Sequence, residues 1–176
     1  IKEELNNIRV NRELRRKHRH KSGFYLVSLA GYTNAGKSSL LNHLSNENVK
    51  VEGKLFSTLS TTTRKIKQKN IPILLTDTVG FIKNLPATII DAFHSTLEEI
   101  QLADLILLVI DIGEDPERIK EKLITSLNEL KEIGTNAPII FVFNKTDLIS
   151  EKQQESKINF LTEEKLIDNK KIVTIS

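Results

Sequence analysis

Eight consecutive residues, Gly31-Tyr32-Thr33-Asn34-Ala35-Gly36-Lys37-Ser38, have the types and spacing needed to hold a chain of phosphates. They follow the pattern G-x-x-x-x-G-K-[ST], with an apolar run before them and a helical pattern after. The glycines let backbone N–H groups close around phosphate oxygens, and the helix N-terminus adds a favourable dipole. Lys37 sets a point charge between β- and γ-phosphates, and the Ser38 hydroxyl is a hard oxygen ligand suited to Mg²⁺. Ser39, on the same helical turn, extends this nucleotide-binding run.

A second apolar run, Leu74-Leu75-Thr76, ends in Asp77-Thr78-Val79-Gly80. A carboxylate at that strand tip can hold Mg²⁺ through a water. Gly80, having no Cβ, can bring its backbone N–H close to a γ-phosphate. Thr78 and Val79 lie between them and are assigned to the same site. Position 81 is Phe81, whose ring cannot hydrogen-bond an attacking water. Either intrinsic hydrolysis is slow or another group orients the water.

A third run, Asn144-Lys145-Thr146-Asp147, follows the apolar segment Ile139–Phe143. The Asp147 carboxylate can accept from guanine N1–H and N2–H₂ together, whereas adenine leaves it buried and unpaired. Sites built on such a contact reject the wrong partner by about 10⁴–10⁵. Asn144 braces the loop, Lys145 covers the base, and Thr146 completes the contact. Together with Lys37 and Asp77, this set points to guanine nucleotide chemistry. It argues against an ATP-dependent small-molecule kinase, for which an Arg-rich lid is also missing.

These residues need strands that end beside one another. Apolar patterning predicts strands at Phe24–Ala30, Arg64–Lys69, Ile71–Thr76, Leu105–Ile110, Ile139–Phe143 and Ile172–Ile175. Pro72 marks either the start of its strand or an exposed edge. Helices are predicted from Ser38 through Leu44, from Pro86 to Ile100, through Ile119–Ile133 to a stop at Gly134, and over 151–167. Residues 46–63 are polar and aperiodic, a long loop of the kind that is usually functional. The alternation predicts an α/β fold, a P-loop NTPase of the Ras-like G-domain type. Its mostly parallel six-stranded sheet should carry helices on both faces.

Composition narrows the class further. No apolar run reaches the roughly 18 residues of a membrane span, and the 176 residues include no cysteine, which suits a reducing cytoplasm. The chain begins at Ile1 without methionine, so we expect a piece of a longer protein. Net charge is +3, yet residues 1–21 hold eight Lys/Arg against three Glu. We therefore expect two parts: a basic helical arm over 1–22, and a GTP-binding domain over 23–176. On a helix, Arg12, Arg15, Arg16 and Arg19 would share one side, where they could meet an RNA backbone by displacing counterions. The alternative is a solvated helix end.

The runs 31–38, Lys54-Leu55-Phe56-Ser57-Thr58-Leu59, Thr62-Thr63-Arg64 and Asp77-Thr78-Val79-Gly80-Phe81-Ile82 resemble the HflX family of the Obg–HflX group. So does the stretch from Leu85-Pro86 through Ala92-Phe93-His94-Ser95-Thr96-Leu97-Glu98-Glu99. The resemblance covers about residues 24–176. It implies a cytoplasmic GTPase that binds the large ribosomal subunit, is stimulated there, and in some members helps split ribosomes under stress. It also implies an N-terminal domain before the basic arm.

A switch threonine should close over Mg²⁺ and the γ-phosphate, and Thr58, Thr61, Thr62 and Thr63 compete for that role. Thr63 lies against a strand and has little freedom to swing. The resemblance favours Thr58, with Phe56, Ser57, Leu59 and Ser60 around the nucleotide. Ser176 resembles the start of the loop that covers the guanine oxygen. Departures are Ser39 for a usual threonine, Leu41 for a frequent phenylalanine, and Ser60-Thr61 for Asp-Pro. Asn34 offers a neutral oxygen to K⁺ as an added charge near the β/γ bridge, or a plain loop hydrogen bond. The expected reaction takes GTP and water to GDP and phosphate, with Lys37, Thr58 and Gly80 around the γ-phosphate. The competing reading is a nucleotide-gated RNA-binding module in which hydrolysis only resets the switch. A monomer is expected.

Asp147 gives a direct test. Asp147→Asn should weaken GTP binding and improve binding of xanthosine triphosphate, because xanthine carries an oxygen where guanine carries an amino group. Titration of both nucleotides against both proteins checks this; unchanged GTP affinity would remove Asp147 from the base site.

Overall fold

A computed structural model describes residues 14, 16–45, 62–68, 71–78 and 99–176. Strand β1 (Tyr25–Ala30) is buried along Leu26–Ala30. Burial of consecutive residues means that both faces are covered, as in a central parallel strand. Helix α1 (Lys37–Ser45) follows it, then β2 (Thr62–Gln68) and β3 (Ile71–Asp77). Next come β4 (Leu105–Asp111), α2 (Pro116–Ile133), β5 (Ile139–Asn144), α3 (Glu151–Glu163) and β6 (Ile172–Thr174). The six strands lie in the order β2-β3-β1-β4-β5-β6. All neighbours are parallel except β2, which runs antiparallel to β3. The expected doubly covered α/β sheet is the one observed.

Alternation along β1 sends its side chains to two cores. Val27 and Leu29 join Leu40 and Leu41 of α1 and Leu75 of β3. Ala30 joins the larger core with Ile106, Leu108 and Ile110 of β4, Phe141 and Phe143 of β5, and the apolar stripes of α2 and α3. Helix α2 buries Ile119, Leu123, Leu130 and Ile133, spaced for one helical face. It starts at Pro116, whose missing N–H costs nothing at that position, and ends at Gly134. Helix α3 begins with a reciprocal cap: Ser150 accepts from the Gln153 backbone N–H, and the Gln153 side chain accepts from the Ser150 backbone N–H.

Several expectations shift. Pro72 marks the start of a strand and not an edge, because β2 covers that side. The first strand starts at Tyr25, and Phe24 instead packs under the Lys65 ammonium at 4.6 Å. The helix expected over 151–167 ends at Glu163. Lys165 takes the left-handed conformation there (φ 56°), and its N–H donates to the Thr162 carbonyl. That reversal turns Leu166 and Ile167 into the larger core. The strand over 62–68 starts two residues before its predicted bound and ends one short of it, those over 71–77, 105–111 and 139–144 each run one residue further, and the last ends one residue early, at Thr174. Of the helix expected over 86–100, only 99 and 100 lie among the described residues.

The basic arm has partners that the sequence did not reveal. Residues 16–21 are helical, and this end is fastened to the domain. Arg16 Nε donates to Asp104 Oδ1 at 2.7 Å, His20 Nε2 lies 2.9 Å from the same oxygen, and Arg19 donates to the Leu102 carbonyl at 2.6 Å. The other carboxylate oxygen accepts from the Leu26 N–H at 2.9 Å, while the Asp104 N–H donates to the Leu26 carbonyl at 2.8 Å. One carboxylate thus fixes the start of β1, the approach to β4 and the arm. Two of the arginines expected on an RNA-facing side are engaged by the domain, Arg19 half-buried and Arg16 still 48% exposed. Arg12 and Arg15 lie outside the described residues.

Burial pushes the Asp104 carboxyl up, yet the Leu26 N–H, His20 and Arg16 outweigh it and hold the group below its ordinary range. A carboxylate held down in the folded chain stabilises it above the unfolded value near 3.8 and loses that effect as the pH falls further. Asp104→Ala should cost about 2 kcal/mol, since a buried N–H and two cationic partners lose their acceptor. Urea unfolding at pH 7 and at pH 3 checks it, the difference between the proteins shrinking at the lower pH. Faster tryptic cleavage after Arg16 and Arg19 in the variant would report the freed arm.

Candidate nucleotide-binding site

The parallel strands β1, β3, β4 and β5 all finish on one edge of the sheet, and the predicted motifs sit there. Residues 31–36 leave β1 and wrap into α1. Two glycines in this loop are demanded by space. A Cβ on Gly31 (φ 137°) would strike the Val109 backbone carbonyl, and one on Gly36 (φ 99°) would strike the Asn144 side-chain amide. Asn34 also takes the left-handed conformation (φ 63°), which asparagine tolerates better than most residues, and its side chain is exposed.

Lys37 is 7% exposed and turns back into the loop, donating to the Gly31 carbonyl at 3.1 Å and the Tyr32 carbonyl at 3.0 Å. Burial pulls its ammonium down to about 8, with the Asp77 carboxylate working the other way. Ser38 Oγ donates to Asp77 Oδ2 at 2.6 Å, joining the first turn of α1 to the tip of β3. Asp77 is 1% exposed. A hydroxyl and a buried carboxylate in contact are the hard oxygen donors that Mg²⁺ takes, so the residues fit that ion. Among the described residues no group of three or more His, Cys, Asp or Glu could hold a metal alone. A divalent ion here would need water or phosphate oxygens as well. Thr78 Oγ1 donates to the Leu29 carbonyl at 2.5 Å and so braces the end of β3 against β1.

The base tetrapeptide is bonded to the phosphate loop. Asn144 Nδ2 donates to the Ala35 carbonyl at 2.9 Å, a contact between residues 109 positions apart. Lys145 is left-handed (φ 65°) and leads into a 3₁₀ turn over Thr146–Leu148, where Asp147 is exposed. Thr146 donates through both its N–H and its Oγ1 to the Ile175 carbonyl, at 3.2 and 3.0 Å. Ser176 therefore lies directly after the residue tied to the base turn.

Lys145 adds something absent from the sequence reading: its ammonium pairs with Asp111 Oδ2 at 2.5 Å. Asp111 could have been suspected from Asp-Ile-Gly, since an aspartate two residues before a loop glycine favours an Asx turn, and Asp111 Oδ1 does accept from the Gly113 N–H at 2.9 Å. Nothing in the sequence links it to Lys145. Likewise, the Lys122 ammonium lies 5.0 Å over the Tyr32 ring, fixing the phosphate loop against α2.

Of the switch threonines, Thr62 and Thr63 lie within β2, and Thr63 Oγ1 is 2.9 Å from Thr76 Oγ1. Phe56, Ser57, Thr58, Leu59, Ser60, Thr61, Val79, Gly80 and Phe81 lie outside the described residues.

Residues 26–145 match the protein family described as 50S ribosome-binding GTPase. The chain is 50% identical over 164 residues to the GTPase HflX of Thermococcus kodakarensis, covering 93% of this chain and 37% of that protein. A GTP-binding protein from Sulfolobus solfataricus, solved in complex with GDP, superposes with a TM-score of 0.66 at 30% identity over 98% of this chain and 51% of its own. Era, solved with MgGDPNP and nucleotides 1506–1542 of 16S ribosomal RNA, gives 0.70 at 26% identity over 88% of this chain and 51% of its own. The chain thus spans between about a third and a half of the proteins it matches.

The buried ammonium has a measurable consequence. Between about 8 and the ordinary lysine value of 10.5, the unfolded chain holds a proton on Lys37 that the folded chain has released. Stability of the nucleotide-free protein should therefore rise with pH across that window, by up to about 3 kcal/mol from this group. Lys37→Met should remove the rise. Urea midpoints at pH 7.5, 8.5 and 9.5 for both proteins check it; equal pH slopes would show that Lys37 is not desolvated.

Proposed function

This chain belongs to the 50S ribosome-binding GTPases and, among them, to the HflX GTPases, and from that premise we propose that it binds GTP with Mg²⁺ and hydrolyses it to GDP and phosphate. The observation that carries the reading is the Asn144–Ala35 hydrogen bond. It ties a tetrapeptide with guanine-recognising chemistry directly to a phosphate loop.

In this reading the backbone N–H groups of 31–38 cradle the phosphates, and Lys37 leaves its two carbonyls to meet the β/γ oxygens. Phosphate charge favours the ammonium form and offsets the burial that depresses it. Ser38 and Asp77 would hold Mg²⁺, which when bound would supply positive charge to the phosphates. Asp147 takes the guanine N–H groups, the Lys145 stem lies along the base, and Ser176 opens the loop over the guanine oxygen. Thr58 is the switch threonine and Gly80 the γ-phosphate sensor. With Phe81 in the water-orienting position, turnover of the isolated chain is slow. Asn34, exposed beside the phosphates, is the candidate oxygen ligand for K⁺.

The large ribosomal subunit is the proposed partner, supported by the family's description and by the basic segment. Arg16 and Arg19 are held by the domain, but Arg16 stays exposed, so among the described residues the cations open to RNA are Arg16, Lys17 and Lys21. Residues 1–22 are read as an arm joined to this domain of 23–176. A monomer in the cytoplasm is the proposed working state, the location following from the likeness to HflX GTPases. No helix among the described residues is long and apolar enough to cross a membrane.

GTP turnover, measured with and without purified large subunits in matched KCl and NaCl, tests these points together. We expect slow release of phosphate alone, at least tenfold stimulation by subunits, and faster turnover in KCl. Failure to bind GTP at all would overturn the reading. Absence of stimulation would remove the ribosomal partner for this chain, and equal rates in the two salts would remove K⁺.

A further inference from the structure

We propose that Asp111 is a positioning residue for the base site, holding the Lys145 side chain where a guanine nucleotide needs it; this rests on the GTP-binding reading above. Asp111 ends β4 and is in register with Asn144 on β5, so its side chain and the base tetrapeptide share one edge of the sheet. Each carboxylate oxygen has its own partner. Oδ1 accepts from the Gly113 N–H at 2.9 Å, and Oδ2 from the Lys145 ammonium at 2.5 Å. The first contact fixes the direction of the second.

The loop behind Asp111 is anchored independently. The Ile112 N–H donates to the Asn144 carbonyl at 3.1 Å, and the Ile112 side chain is fully buried. Lys157, from α3, donates to the Ile112 carbonyl at 2.9 Å and the Glu114 carbonyl at 2.7 Å. Asp111 therefore projects from a rigid turn. Its partner stands on a strained one, since Lys145 holds a positive φ of 65° without being glycine or asparagine. Such conformations persist where surrounding contacts impose them, and they cluster at ligand sites.

An ordinary surface ion pair would not need this support. The Asp111 side chain is 14% exposed and that of Lys145 34%, so the pair is shielded on the carboxylate side and open on the lysine side. The lysine between the Asn144 brace and the Asp147 acceptor is thus pinned at its far end. With the ammonium anchored, the four-carbon stem is set before ligand arrives, and little rotamer freedom remains to be lost on binding. Without Asp111, Lys145 would have to be ordered by the nucleotide.

The test is a double-mutant cycle read as GDP affinity and dissociation rate with a fluorescent GDP analogue. Asp111→Asn keeps an acceptor for the Gly113 N–H but loses the charge; Lys145→Met keeps the stem but loses the ammonium. Each single change should weaken GDP about tenfold, chiefly through faster dissociation. The double variant should be no weaker than Lys145→Met alone, and Asp111→Glu should recover part of the loss. Thermal unfolding without nucleotide separates binding from folding, and the melting temperatures of Asp111→Asn and the parent should agree within a few degrees. Unchanged GDP affinity in Asp111→Asn, or losses that multiply in the double variant, would overturn the assignment. If the parent itself fails to bind GDP, the underlying nucleotide reading falls first and takes this assignment with it.

Discussion

The parallel pairing of β1 with β3 on one side and β4 on the other is the constraint on which the rest of this structure depends. Because these strands and β5 run the same way, the loops leaving them emerge at one edge. Residues far apart in sequence, Gly31 after β1, Asp77 at the end of β3, Asp111 at the end of β4 and Asn144 at the end of β5, are brought together by that direction alone. A parallel sheet of this kind must be covered on both faces, and the two apolar clusters around β1 supply that cover. The site is therefore an outcome of the same packing that stabilises the domain.

On that edge, polar contacts convert proximity into geometry. Ser38 is bonded to Asp77, Asn144 to Ala35, and Lys145 to Asp111. Each joins a motif on one element to a motif or support on another, and each is sheltered enough to be worth more than an exposed equivalent. The close approach of Gly36 to the Asn144 amide explains why that loop position tolerates no side chain. Lys37 and Asp77 are polar groups buried against the trend of the core. Such departures are expected where a protein trades stability for a charged ligand.

The opposite end of β1 carries a second organising group, Asp104, which binds the arm, the strand and the segment before β4 at once. It lies in sequence just after residue 102, where Arg19 is also bonded. The helical end of the arm and the domain are consequently one packed unit over the described residues. A charge run that looked available to an external partner is in part consumed internally.

The sequence by itself determined the fold class and the motifs on which the proposed chemistry rests. The phosphate loop, Asp77 and the Asn144–Asp147 tetrapeptide could be read from residue type and spacing, because each motif is local and its chemistry depends on few atoms. Most strands and helices followed from apolar period, and their errors fell at termini, where capping and chain reversal decide, as at Lys165. Only the tertiary structure decided which elements lie side by side. It put β2 outside β3, so that Pro72 begins an inner strand. It set Asp111 against Lys145, and it bonded Arg16 to Asp104 and Arg19 to Leu102. Those partners are separated by 34, 88 and 83 residues. The physical reason is that a charged side chain looks the same in sequence whether it faces water or a buried carboxylate, and only the folded sheet chooses between them.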